Sequence, residues 1–113
     1  MKQFDIFLAD LNPQIGTEPG KVRPVIIVQT NLLNSNSHPS TLIIPITSKT
    51  NPKAEILRVH LKKGTSNLNE SCDIMIDQLR AIDNKRLIKK IGVLPVELAQ
   101  KVKENMKIIL DLD

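Results

Sequence analysis

Aromatic side chains are almost missing from this 113-residue chain, which has no Trp, no Tyr and only two Phe, at positions 4 and 7. A single-strand binder built on stacking platforms needs more aromatic faces than that. Cysteine is scarce as well: the lone Cys72 excludes an intramolecular disulfide and any multi-cysteine zinc site. The two histidines, His38 and His60, can ligate a metal only with carboxylate help, and no His-x-x-x-His spacing exists. Neither a metal nor another cofactor is therefore expected. Apolar runs are short, as in Val25-Ile26-Ile27-Val28, whereas a membrane-spanning helix needs about 20 residues. The opening Met1-Lys2-Gln3-Phe4-Asp5 has no apolar signal-peptide core behind it. A cytoplasmic protein without membrane contact is expected.

What is present is ordinary for a globular chain: 41% apolar and 25% charged residues. The length fits one domain spanning residues 1–113. Sixteen Lys and Arg against twelve Asp and Glu leave a net charge of +4, which admits an anionic partner but reads equally as a solvated surface. Alternating or β-branched runs at Asp5–Asp10, Val25–Gln29, Leu42–Ile46 and Glu55–Leu61 predict strands, and Asp73–Ile82 predicts one or two more. Short strands in succession indicate a compact barrel or sandwich. After Pro95 the period changes. Val96, Ala99, Val102, Met106, Ile109 and Leu110 fall at helical spacing, which predicts a C-terminal helix packed on the barrel. Long connections at Leu11–Val22, Asn31–Ser40 and Ser48–Ala54 are the natural carriers of function.

Three segments concentrate chemistry. Gly16-Thr17-Glu18-Pro19-Gly20-Lys21-Val22-Arg23-Pro24-Val25 sets a hydroxyl, a carboxylate and two cations on a loop pinned by Gly and Pro. Pro24 restricts Arg23 to extended backbone, so its planar fork is presented rigidly, as suits a phosphate. Spacing alone leaves open an arginine salt-bridged at a strand end. Pro45-Ile46-Thr47-Ser48-Lys49 closes a strand with two hydroxyls and a lysine, which can serve a phosphoryl oxygen or an ordinary turn. Asp77-Gln78-Leu79-Arg80-Ala81-Ile82-Asp83 mixes an amide, two carboxylates and an arginine.

Together, and with Asp5-Ile6-Phe7-Leu8-Ala9-Asp10-Leu11-Asn12-Pro13 and the terminal helix, these motifs make the chain similar to the MazF/PemK (Kid) toxins of toxin–antitoxin operons. The resemblance covers nearly the whole chain in order. It implies a mainly β fold, an SH3-like small β barrel of the CcdB/PemK kind with a C-terminal helix, usually a homodimer. The implied activity is metal-independent, sequence-specific cleavage of single-stranded RNA by attack of the 2′-hydroxyl on its own phosphate. Arg23 and Thr47 fall on the family's two principal catalytic positions. Gln14, Thr17, Lys21 and Gln78 are the expected RNA contacts, with Thr17 at a place often held by Ser. Glu18 and Asp77 are the candidates for accepting the 2′-hydroxyl proton. One departure is Met75, where the Kid branch has an arginine assigned an acid role; this favours the Arg23–Thr47 scheme. His38 and His60 lie in no matched motif. The implied protein partner is an antitoxin whose acidic and apolar tail would anchor on Lys21, Arg23 and Lys49. A CcdB-like gyrase-binding toxin is the alternative of another class, opposed by the absence of Trp. A non-catalytic RNA-binding barrel is the other, opposed by the retention of Arg23, Thr47 and Gln78.

Overall fold

A computed structural model describes residues 1–113. Seven strands run in chain order: β1 (Asp5–Asp10), β2 (Val22–Ile27), β3 (Ser40–Thr47), β4 (Arg58–Leu61), β5 (Cys72–Met75), β6 (Arg80–Asp83) and β7 (Leu87–Val93). A one-turn helix α1 (Asn31–Asn34) follows β2, and the chain closes with α2 (Val96–Ile109). The strands pair antiparallel in the order β4-β5-β3-β2-β1-β7, with β6 also on β3. This sheet and its closing helix match the fold expected of the resemblance.

β3 organises the whole. Its first half pairs β6, from Ser40↔Asp83 to Ile43↔Arg80, and its last residues pair β5, at Ile46↔Ile74 and Thr47↔Asp73. Between them Ile43, Ile44 and Pro45 pair Ile27, Ile26 and Val25 of β2. Beyond Val25↔Pro45 the β2–β3 ladder stops. A proline lies on each strand there, Pro24 and Pro45, and neither ring nitrogen carries a hydrogen to donate. β2 continues beside β1 while β3 turns to β5, so the two strands part.

The apolar run at 25–28 is buried on both sides of the sheet. Ile26 and Val28 join a main core with Ile6, Ile44, Ile46, Ile74 and Val102, whereas Val25 and Ile27 join Ala9, Leu11, Ile43 and Ile82 in a smaller one. Alternation therefore divides one hydrophobic segment between two cores. Helix α2 closes the main core with Ala99 and Val102, flanked by the half-buried Leu98, Met106 and Ile109.

Several sequence expectations shift. β2 begins at Val22 rather than at 25, and β4 only at Arg58, because Ile56 and Leu57 are exposed. The 73–82 run is cut by a 3-10 turn at Ile76–Gln78. The connection 31–40 contains α1, capped by Thr30, whose Oγ1 accepts from Leu32 N at 3.3 Å. Val96 is 80% exposed, so the helix stripe starts two residues later and includes the buried Asn105, which donates to Glu55 O. β7 went unanticipated because two register shifts against β1, with Ile88 and Ile91 as the extra residues, erase its alternation. No helix is long and apolar enough to cross a membrane.

Candidate active site

The loop between β1 and β2 is closed at its base. Fully buried Leu11 donates its N–H to Lys21 O at 2.8 Å, and Asn12 Oδ1 accepts from Lys21 N at 2.9 Å. Arg86 donates from one nitrogen to the carbonyls of Asp10 and Asn12, at 3.1 and 2.6 Å. Gly20 is buried against Gln14, whose Cβ lies 2.6 Å from where a side chain at position 20 would begin. Only glycine permits this approach, which brings Gln14 to the same place as Lys21 and Arg23. Arg23 Nε donates to Gly20 O at 2.7 Å. With Nε so engaged, the two terminal nitrogens remain for a ligand.

The opposite wall is the end of β3. The β2–β3 pairs each sum to 70, so carrying the register two residues past Val25↔Pro45 sets Arg23 across from Thr47, after the strands have separated. Thr47 Oγ1 accepts from Lys49 N at 3.1 Å. Its own proton is then free to donate outward.

Behind Thr47, and paired with it, is Asp73, whose side chain is 0% exposed. Its Oδ2 accepts from Asn51 N at 2.7 Å and from Arg58 at 3.1 Å, and its Oδ1 lies 2.6 Å from His60 Nδ1. The same Arg58 nitrogen also donates to Lys49 O at 3.1 Å. Burial alone would raise the Asp73 carboxyl; the Asn51 amide, His60 and Arg58 outweigh it and hold the group below the usual carboxylate range. One buried carboxylate thus ties down the segment that follows Thr47.

Where the walls part there is a cleft of about 720 Å³ that takes in Gln14, Lys21, Arg23 and Thr47. Five cations border it, the others being Lys49, Lys89 and Lys90, against one carboxylate, Glu70. Burial lowers the Arg23 pKa from the usual arginine range, yet so basic a group stays charged near neutrality. Its partial desolvation strengthens any bond to an anion. Cys72 also borders the cleft, but burial, then Glu70 and Asp73, push its thiol up, so it is a poor nucleophile. No three His, Cys, Asp or Glu side chains converge as a metal-ligand set.

The remaining sequence-derived residues lie elsewhere. Thr17 and Glu18 occupy the exposed tip of the loop, where Glu18 is 3.9 Å from Arg80 of β6. Asp77 is exposed and Gln78 half-buried on the 3-10 turn before that strand, and none of these four borders the cleft. Met75 is packed away at 8% exposure. His38 is exposed, and its carbonyl accepts from Asn84. Sequence reasoning missed Lys89, Lys90 and Glu70. The adjacent lysines were a visible signal, but no strand had been expected to carry them.

Comparison with known proteins bears on what such a cleft does. Residues 2–110 match the family described as PemK-like, MazF-like toxin of type II toxin-antitoxin system. The chain is 32% identical over 112 residues to the Endoribonuclease MazF of Staphylococcus saprophyticus, covering 99% of this chain and 92% of that protein. Among solved structures it is similar to MazF from Deinococcus radiodurans, with a TM-score of 0.82, 20% identity and coverage of 99% and 97%. It also resembles a mycobacterial endoribonuclease solved in complex with its cognate antitoxin, with a TM-score of 0.79, 14% identity and coverage of 100% and 97%.

Proposed function

The chain belongs to the PemK-like, MazF-like toxin family of type II toxin–antitoxin systems, and from that premise we propose that it is an endoribonuclease, cutting single-stranded RNA at the Arg23–Thr47 cleft. The observation that carries this reading is the opening of the β2–β3 ladder, which faces a guanidinium and a free hydroxyl proton across one cationic gap.

The reaction needs no protein nucleophile and draws on no metal. The ribose 2′-oxygen attacks the neighbouring phosphorus, a P–O2′ bond forms, and the P–O5′ bond breaks. The products are a 2′,3′-cyclic phosphate and a 5′-hydroxyl. Arg23 holds the phosphate through its two terminal nitrogens, and Thr47 donates to a nonbridging oxygen as negative charge builds there. Gln14 and Lys21 hold the strand beside them. The 2′-hydroxyl proton leaves to a carboxylate or to solvent, and the 5′-oxygen takes one up. Glu70 is the carboxylate at the cleft; Glu18 and Asp77 are the other candidates for this part, and Thr17 and Gln78 for contacts with RNA that runs beyond the cleft.

We accordingly read the toxin as a homodimer of single-domain chains acting in the cytoplasm, with an antitoxin as protein partner. The relative of known structure bound to its cognate antitoxin supports that partner, and an acidic tail suits the lysines at the cleft. The test is incubation of labelled RNA with purified protein and a chelator. Discrete fragments ending in cyclic phosphate are expected, and a 2′-deoxy nucleotide at the cut should stop the reaction without preventing binding. Cutting at the deoxy position would mean that water attacks and that the scheme is wrong.

A further inference from the structure

Beyond the scissile phosphate, the cleft has a second cationic end. Leu8 of β1 pairs Pro24 on one side and Lys89 on the other, so Pro24, Leu8 and Lys89 form a row across three strands. Directly opposed residues share a face, and all three border the cleft. Between Lys89 and Lys90 the register against β1 is unbroken, with Leu8 opposite Lys89 and Phe7 opposite Lys90, so the two side chains leave opposite faces of the sheet and Lys89 is the one on the Leu8–Pro24 face.

The charges at this end differ. Lys90 Nζ is 3.3 Å from the buried Asp5, whereas Lys89 is exposed and has no carboxylate within ion-pairing distance. Two strand spacings separate the β2 and β7 ends of the row, roughly 10 Å; Arg23, next to Pro24 in β2 and opposite Ala9, borders the same cleft. Between the cations the floor is apolar, made of Leu8 and Pro24 with Ile91 and Leu68 beside them. A ligand matching this surface has an apolar, flat body with an anion at either end. A nucleoside flanked by its two phosphates has that form.

We infer that Lys89 holds a second backbone phosphate of the bound RNA, the neighbour of the one held by Arg23 and Thr47, while the nucleoside between the two phosphates lies on the Leu8–Pro24 floor. This rests on the endoribonuclease reading of the same cleft. Lys89 is a substrate-positioning contact outside the reacting atoms. It supplies affinity that is insensitive to sequence and sensitive to salt.

The probe is a short RNA spanning the mapped cut site, blocked by a 2′-O-methyl group and followed by fluorescence anisotropy across a salt series. Lys89→Ala should weaken binding about three- to tenfold and reduce the log–log salt slope by about 0.7, the value for one lost single-strand phosphate contact. Lys89→Arg should restore both, and Lys101→Ala, exposed on α2, should change neither. Neutral methylphosphonates introduced singly should weaken wild-type binding at the scissile phosphate and at one further position, and that further position should fall silent in Lys89→Ala. If only the scissile position responds, or Lys89→Ala binds like wild type, the inference is overturned. It is equally overturned if Lys89→Ala spares RNA and weakens only an acidic antitoxin peptide. Should Arg23→Ala abolish cleavage while Lys89→Ala stays silent, this inference alone fails; a wild-type protein that neither cuts nor binds RNA removes the functional reading as well.

Discussion

On the Thr47 side of the cleft, a fully buried carboxylate gathers an amide, a guanidinium and an imidazole, and through them secures the segment from Thr47 to Asn51. On the Arg23 side the guanidinium has no carboxylate partner, and its position follows from backbone: a closed loop base, a glycine packed against Gln14, and one bond to a carbonyl. The difference is instructive. In the proposed reaction, a hydroxyl that presents a single proton is thus anchored by charges set behind it, and a cation that receives a phosphate is kept free of any competing anion.

Asp73→Ala leaves the Asn51 amide without its acceptor and Arg58 without its counter-ion, and should cost about 3–5 kcal/mol of stability, read as a lower denaturant midpoint. Arg23→Ala should do the reverse. Stability falls by only about 1 kcal/mol, for one lost hydrogen bond, while cleavage drops about a hundred- to a thousandfold, as for loss of one charge-stabilising donor. If both variants lose stability and activity together, the two walls are not separate devices. Gly20→Ala sharpens the contrast. The added methyl meets Gln14 and should cost about 1–3 kcal/mol, with a loss of single-turnover cleavage rate greater than its destabilisation explains. The smallest effect is a pH dependence. Because the folded Asp73 carboxyl lies below its unfolded value, its contribution is complete above about pH 4 and is lost as pH falls through the lower folded value. Thermal unfolding of wild type and Asp73→Asn should therefore differ near neutrality and converge in strong acid.

The fold was largely legible because its signals are local. β1, β3 and α2 announce themselves by alternation and by helical spacing. β7 did not, since its two extra residues put lysines and isoleucines out of phase. The site was legible in part. Arg23 and Thr47 lie 24 positions apart in sequence and meet through strand register, which no spacing rule reveals; only resemblance joined them beforehand. The same resemblance grouped Glu18, Asp77 and Gln78 with them, whereas in the single chain Glu18 turns toward Arg80 instead. Asp73 passed unremarked because a lone acid in a strand gives no hint that three donors will surround it.

The prolines at positions 24 and 45 carry one more implication. The notch between β2 and β3 is set by atoms that the backbone lacks, so no side chain or moving flap has to prop it open. Loops on either rim can therefore drift in sequence, acquiring new tastes in nucleotide order, while the scissors' pivot stays where it is.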